Sequence, residues 1–149
     1  MRRTVIGLFA ILLAAACGGG KDGTGPGKTE LAGTWRATNI EYTNPANPSD
    51  RVDIVTQGAT ATLTLTTGGS FTLIVDIPGE STATVNGTWS ASVDVLTMSW
   101  TGGGFSNQWQ FDMSMSGSTL TLSGAHADFD FNGDNVDEEG RLTLVLTKQ

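Results

Sequence analysis

From residue 31 onward, apolar and polar residues alternate with a period of two, which is typical of β-strands that have one buried face. In the segment 60–66, Ala61, Leu63 and Leu65 share one phase, and threonines occupy the other. Short turns, such as the segment 67–70 (TGGS), separate successive runs. The expected strands lie at about 33–43, 52–57, 59–66, 71–77, 82–91, 94–100, 105–115, 118–123, 125–131 and 141–148.

These runs predict an all-β fold of about eight or nine strands, since we expect some of the runs to fuse or to be too irregular to pair. The connections are short, so neighbours in sequence should pair antiparallel as an up-and-down sheet. Closure of that sheet into a barrel buries the apolar face and removes the free edges. Transmembrane barrels also alternate, but most of the expected strands have five to eight residues, fewer than the roughly 9–11 that cross a bilayer.

The first residues follow a different pattern. A basic start, Met1-Arg2-Arg3, precedes an apolar run of thirteen residues at 4–16, which is too short to cross a bilayer and typical of a signal peptide. The run ends in three alanines before Cys17, the single cysteine of the chain. This junction resembles the lipobox of bacterial lipoproteins, and the resemblance implies cleavage before Cys17 and lipidation of its thiol. Ordinary secretion is the alternative, since Ala14 and Ala16 also fit the general cleavage rule.

The expected organisation is a signal peptide at 1–16, the lipidated Cys17 with a Gly-rich flexible tether at 17–30, and a barrel domain at 31–149. Two acyl chains give stable membrane attachment. Gly18 stands where an acidic residue usually retains lipoproteins on the inner membrane. The resemblance therefore implies an exported protein, anchored in the outer membrane or at the surface of a bacterium.

The segment Gly33-Thr34-Trp35 resembles the G-x-W opening of lipocalin-like barrels. In that family the tryptophan closes the base of the barrel, and a basic residue of the last strand packs against it. The resemblance thus implies structural roles for Gly33 and Trp35, with Arg141 placed on the Trp35 ring through a cation–π contact.

Several aromatic and methionine side chains share the phase expected to face the barrel interior. Such side chains suit a pocket for a small apolar ligand, which would make the protein a carrier or a sensor. The alternative is that they fill a small barrel, which would make the protein a structural or protein-interaction module of the cell envelope. The candidate ligand-binding residues are Trp89, Met98, Trp100, Trp109 and Met113.

The segment 128–139 is the candidate metal site, because it resembles an EF-hand-type calcium loop, D-x-[DN]-x-[DN]-G-x₅-E, at every specified position. Its flanks alternate as strands, so the loop is expected within a β-hairpin and not between helices. An ordinary acidic turn is the alternative, since Asn-Gly favours hairpin turns. Yet 128–139 holds six of the fifteen acidic residues, and Ca²⁺ would relieve their repulsion. The expected ligands are Asp128, Asp130, Asn132, Asp134 (through its carbonyl) and Glu139.

The remaining composition argues against two classes of function, nucleic-acid binding and catalysis. A net charge of −7 argues against nucleic acid as a partner, because phosphate binding needs clustered lysine and arginine. His126 is the single imidazole, and no G-x-S-x-G segment that would supply a nucleophilic serine occurs. We therefore expect a protein that binds and does not catalyse.

Overall fold

The structure is a computed structural model that describes residues 25–102 and 105–149. The expected signal peptide, Cys17 and the first part of the tether lie outside the described residues. In chain order, the elements are a helix α1 (Lys28–Leu31), β1 (Gly33–Thr43), β2 (Arg51–Asp53), a 3₁₀ helix (Ile54–Gln57), β3 (Thr60–Leu65), β4 (Ser70–Asp76), β5 (Ala83–Ala91), β6 (Val95–Gly102), β7 (Phe105–Ser116), β8 (Thr119–His126) and β9 (Arg141–Lys148).

Eight of the strands form a closed antiparallel barrel. From β3 to β9 each strand pairs with the next along the chain, and β1 closes the barrel by pairing with β3 on one edge and β9 on the other. The prediction of an all-β, up-and-down antiparallel barrel is confirmed. β2 is an extra short strand that pairs with residues 41–43 of β1, beyond the point where β3 ends.

Two expected strands differ from the structure for local reasons. The run 52–57 is a strand only as far as Asp53, because the Asp53 carboxylate accepts hydrogen bonds from the amides of Val55 and Ile40 and starts the 3₁₀ helix. The run 125–131 is not a separate strand. Its first two residues complete β8 after an irregularity at Gly124, whose φ of 86° is left-handed, and the remainder leaves the barrel.

The inward phase of the strands forms one apolar core. Trp35, Met98 and Phe111 are fully buried, and no polar or charged residue of the described chain belongs to the buried class. Polar residues, many of them threonine, occupy the outward phase. This arrangement is the opposite of that in transmembrane barrels, where the apolar side chains face outward. Within the described residues, no helix is long and apolar enough to span a bilayer.

The two ends of the barrel differ. The closed end carries α1 and the tight turns 66–69, 92–94 and 117–118, whereas the loop end carries the longer connections 44–50, 77–82 and 127–140. At the closed end, Leu31 is fully buried and its carbonyl accepts a hydrogen bond of 2.8 Å from Trp35 Nε1. The helix therefore seals the base of the barrel beneath Trp35.

The basic residue on Trp35 is Lys148 and not Arg141. Lys148 Nζ lies 5.1 Å from the centre of the Trp35 ring. Because β9 runs antiparallel to β1, its last residues reach Trp35, while Arg141 pairs with Thr43 at the other end of the barrel. The expected role of Arg141 is thus corrected: its guanidinium forms an ion pair with Glu139 at 2.7 Å.

Candidate functional sites

A small cavity lies in the barrel interior near the loop end. Its volume is about 60 Å³, which is far below the roughly 300–1,000 Å³ of typical small-molecule sites. Its lining is apolar apart from the phenol of Tyr42, and consists of Ile40, Tyr42, Ile54, Ala61, Leu73, Val75, Ile77, Trp109, Leu142 and Leu144.

Tyr42, which lines this cavity, packs against Phe129 of the segment that follows β8. Their rings stack with centres 4.5 Å apart, and Phe129 contacts Phe131 in turn, with centres 5.2 Å apart. Burial raises the pKa of the Tyr42 phenol above its ordinary value, because removal from water penalises the charged form. The aromatic contacts therefore tie the segment that follows β8 to the core.

The five candidate ligand-binding residues do not share one site. Trp109 lines the interior cavity. Met98 and Met113 are buried in the core, as is Trp89, whose Nε1 donates to the Thr66 carbonyl at 3.0 Å. Trp100 lines an outer groove, where its ring makes an edge contact with the Trp109 ring.

The segment 127–140, called the acidic hairpin below, continues the β8–β9 hairpin beyond the barrel. Ala127 donates to the Gly140 carbonyl, and Phe129 and Glu138 exchange two backbone hydrogen bonds. Beyond this bridge the chain turns through Gly133 and Asn135, which have φ of 77° and 66°. The turn therefore folds back over the side chain of Asp130.

Asp130 is the centre of this turn. One of its carboxylate oxygens accepts from the amides of Gly133 (2.6 Å) and Asp134 (3.2 Å), and the other accepts from Asn135 at 2.8 Å. Desolvation raises the pKa of Asp130, but hydrogen bonds from the amides of Asn135, Gly133, Asp134 and Asn132 together outweigh it and lower the pKa below its ordinary value. The carboxylate thus stays ionised over most of the pH range.

Three acidic residues converge at the turn. Asp130, Asp134 and Glu138 each offer a carboxylate oxygen, and these oxygens lie within 4.8 Å of one another. Glu138 also accepts hydrogen bonds from the amide of Phe131 and from Asn132 Nδ2. Each carboxylate oxygen has two lone pairs, so these bonds leave capacity for a cation. The cluster could hold a metal ion.

The expected calcium ligands are divided between the two faces of the hairpin. Asp130 and Asp134 belong to the cluster, and Asn132 lies beside it, bonded to Glu138. Asp128 lies instead 3.4 Å from the imidazole of His126, and Glu139 is held by Arg141. Glu138 takes the place that the sequence pattern assigned to Glu139.

Sequence alternation places these two glutamates on different faces of the hairpin. Counted backwards from the buried Leu142, the inward phase of β9 passes through Gly140 to Glu138, and the outward phase passes from Arg141 to Glu139. Glu139 therefore shares a face with Arg141, whereas Glu138 shares a face with Phe129. Asp130 shares the alternation phase of Asp128 and Glu139, so alternation alone favours Glu139 as its neighbour. Asp130 meets Glu138 because the chain leaves the paired register after the Phe129–Glu138 bridge and turns back over Asp130.

No family model matches the chain, and no curated protein matches it. The closed barrel of eight strands, opened by Gly33 and Trp35, is compatible with a lipocalin-like fold.

Proposed function

We propose that the protein is an exported, lipid-anchored module of a bacterial cell envelope that binds partners through the outside of a filled barrel. The observation that carries this proposal is the size of the interior cavity, about 60 Å³. An apolar ligand of ordinary size needs several times that volume. Of the two hypotheses that the sequence leaves open, the interaction module is therefore favoured over the carrier.

Binding without catalysis is part of the same proposal. His126, the single imidazole of the chain, is exposed and lies beside Asp128, which is exposed as well. Both side chains are more than half exposed to solvent and lie outside the interior cavity and the outer groove described above.

A titration with an uncharged apolar fluorescent probe, N-phenyl-1-naphthylamine, tests the filled interior. We expect weak, non-saturating fluorescence with the folded protein, because the cavity cannot admit the probe's rings. Trp109→Ala, which enlarges the cavity, serves as the comparison and should increase probe binding. Saturable binding of one probe per wild-type molecule would contradict the proposal and favour the carrier.

We further propose that Ca²⁺ is the ion that the acidic hairpin holds, with Asp130, Asp134 and Glu138 as its carboxylate ligands. Calcium prefers six to eight oxygen ligands, and the Asn132 amide and backbone carbonyls of the turn would supplement the carboxylates. The bound ion would offset the repulsion among the three carboxylates and stabilise the hairpin.

Thermal unfolding in millimolar Ca²⁺ and in chelator tests this site. We expect Ca²⁺ at a hundredfold excess over its Kd to add about 2.7 kcal/mol to the free energy of unfolding and to raise the Tm by several degrees. Glu138→Gln should abolish most of that rise. Glu139→Gln is the matched control, since it removes the same charge from the opposite face, and it should keep the rise. Equal unfolding curves with and without Ca²⁺ would exclude the site. If only the Glu139 variant lost the Ca²⁺-dependent rise in Tm, Glu139 and not Glu138 would be the ligand.

A further inference from the structure

The barrel wall separates between β5 and β6 towards the loop end. Residues 88–91 of β5 pair with residues 96–99 of β6, but β5 extends back to Ala83 and β6 extends on to Gly102. Over the same stretch, β5 keeps its full pairing with β4, and β6 keeps its pairing with β7. The two strands therefore diverge without leaving the sheet, and a groove opens between them.

Gly87 lies at the point of separation. A Cβ atom there would overlap the backbone carbonyl of Ser99 and the Phe71 ring, so the close approach of β5 to Ser99 requires glycine. If the register of β5 and β6 continued by one residue, Gly87 would stand opposite Trp100. Because Gly87 has no side chain, the half-buried Trp100 is uncovered on this side and reaches the groove from the inward phase.

The groove has the dimensions of a ligand site. Its volume is about 590 Å³, within the range of roughly 300–1,000 Å³ that small-molecule sites occupy. A second space of about 330 Å³ continues along β5 and shares Asn86, Trp100 and Thr101 with the first. The groove is therefore elongated along the strands.

The lining of the groove is uncharged throughout. It combines the indole of Trp100 with amide and hydroxyl side chains, which both donate and accept hydrogen bonds. An ionic ligand would meet no side chain of opposite charge here. Asn86 Oδ1 accepts from Thr72, and Gln108 Nε2 donates to Ser99 Oγ, but an amide or hydroxyl has more donor and acceptor positions than one such bond uses. The polar lining side chains are Asn86, Thr88, Ser99, Thr101, Asn107 and Gln108.

We propose that this groove binds a neutral oligosaccharide. A sugar ring presents hydroxyl groups around its edge, which donate and accept as the amides and hydroxyls do, and an apolar C–H face, which can pack on the Trp100 indole. The elongated shape fits more than one ring. This inference deepens the proposed function. It rests on that proposal in one respect only, which is that the protein acts through its outer surface.

Calorimetric titration of the mature protein with neutral hexasaccharides tests the proposal. The probes are maltohexaose, cellohexaose, mannohexaose and chitohexaose, with hexagalacturonate as the charged comparison. We expect saturable binding of at least one neutral probe by one site per molecule, and no binding of hexagalacturonate.

Variants locate the site. Trp100→Ala should weaken binding by about thirtyfold, which corresponds to the roughly 2 kcal/mol that a central aromatic contact loses on truncation. Gln108→Ala, on the exposed rim, should weaken it by about fivefold, the loss of one hydrogen bond, and tests the groove even if Trp100→Ala fails to fold. Gln57→Ala is the matched control, because it removes an exposed amide from the 3₁₀ helix, outside the groove, and should leave binding unchanged.

The outcomes separate this inference from the proposed function. Absence of binding to all four neutral probes would overturn the oligosaccharide site while leaving the filled-barrel proposal intact. Binding that neither groove variant weakens, or preference for hexagalacturonate, would also overturn it. Stoichiometric binding of the apolar probe inside the barrel would overturn the filled-barrel proposal and would not affect the groove.

Discussion

Trp35 is fixed at the closed end by two independent contacts. Its indole N–H donates to the Leu31 carbonyl, and the Lys148 ammonium lies over its ring. Lys148 Nζ also donates to the Glu30 carbonyl at 2.7 Å, so one side chain joins the last strand to α1 as well as to β1. The seal of the barrel thus depends on a residue near the far end of the chain.

Replacement of Lys148 by methionine should therefore lower the free energy of unfolding by about 1–2 kcal/mol, through loss of the cation–π contact and of one charge-assisted hydrogen bond. Arg141→Met is the control, because its partly exposed ion pair with Glu139 contributes at most about 1 kcal/mol. Urea unfolding followed by tryptophan fluorescence measures both. A larger loss in the Arg141 variant would contradict the assignment of Lys148.

Short sequence motifs predict that a basic side chain packs on Trp35, but they do not predict which basic residue of the last strand it is. The resemblance of the G-x-W segment predicted that a basic residue of the last strand, Arg141, packs on Trp35, and the residue found there, Lys148, lies on the same strand, β9. The choice depends on which end of β9 meets the beginning of β1. That is a property of strand pairing, in which Trp35 stands opposite Lys148 and Thr43 opposite Arg141.

At the scale of elements, alternation predicted the barrel strands well because one buried face imposes the period of two directly. The alternation pattern predicted the wrong element where a side chain forms hydrogen bonds with backbone amides close to it in sequence. The Asp53 carboxylate converts most of the run 52–57 into a 3₁₀ helix, and the Asp130 carboxylate folds the acidic hairpin into a turn. Such bonds compete with strand pairing but leave the hydrophobic pattern unchanged.

The groove between β5 and β6 marks another limit of sequence reasoning. Trp100 shares the inward phase of Met98, so alternation placed it among the interior ligand candidates. Its contact with the outer surface arises because two strands that pair at one end diverge at the other. Gly87 is the local sequence feature that accompanies this divergence. The need for glycine there becomes visible only once strand pairing is known to bring the Ser99 carbonyl against it.

At the scale of the molecule, the described chain begins at the closed end. A Cβ at Gly25 would overlap the carbonyl of Val93 in the β5–β6 turn, and Lys28 Nζ lies 5.8 Å from the centre of the Trp89 ring. The first described residues therefore pack against the closed end of the barrel, opposite the acidic hairpin.

Membrane fractionation of a bacterium expressing the chain tests the anchor. The wild-type protein should sediment with the membranes, and Cys17→Ser should be released or accumulate with an uncleaved signal peptide. Mass spectrometry of the wild-type N-terminus should find an acylated Cys17. A soluble wild-type protein, cleaved after Ala16 with a free thiol, would instead indicate ordinary secretion.

Closure of the barrel through its first and last strands has a kinetic consequence. β1 cannot complete its pairing until β9 has been synthesised, and the two strands bring together groups as distant as Thr38 and Val145, which are 107 residues apart. Contacts of such large sequence separation make folding slow, because the entropy of loop closure is lost before the contacts form. Until then the partly formed sheet keeps two unpaired strand edges, and the pairing of β1 with β9 removes both of them in the finished barrel.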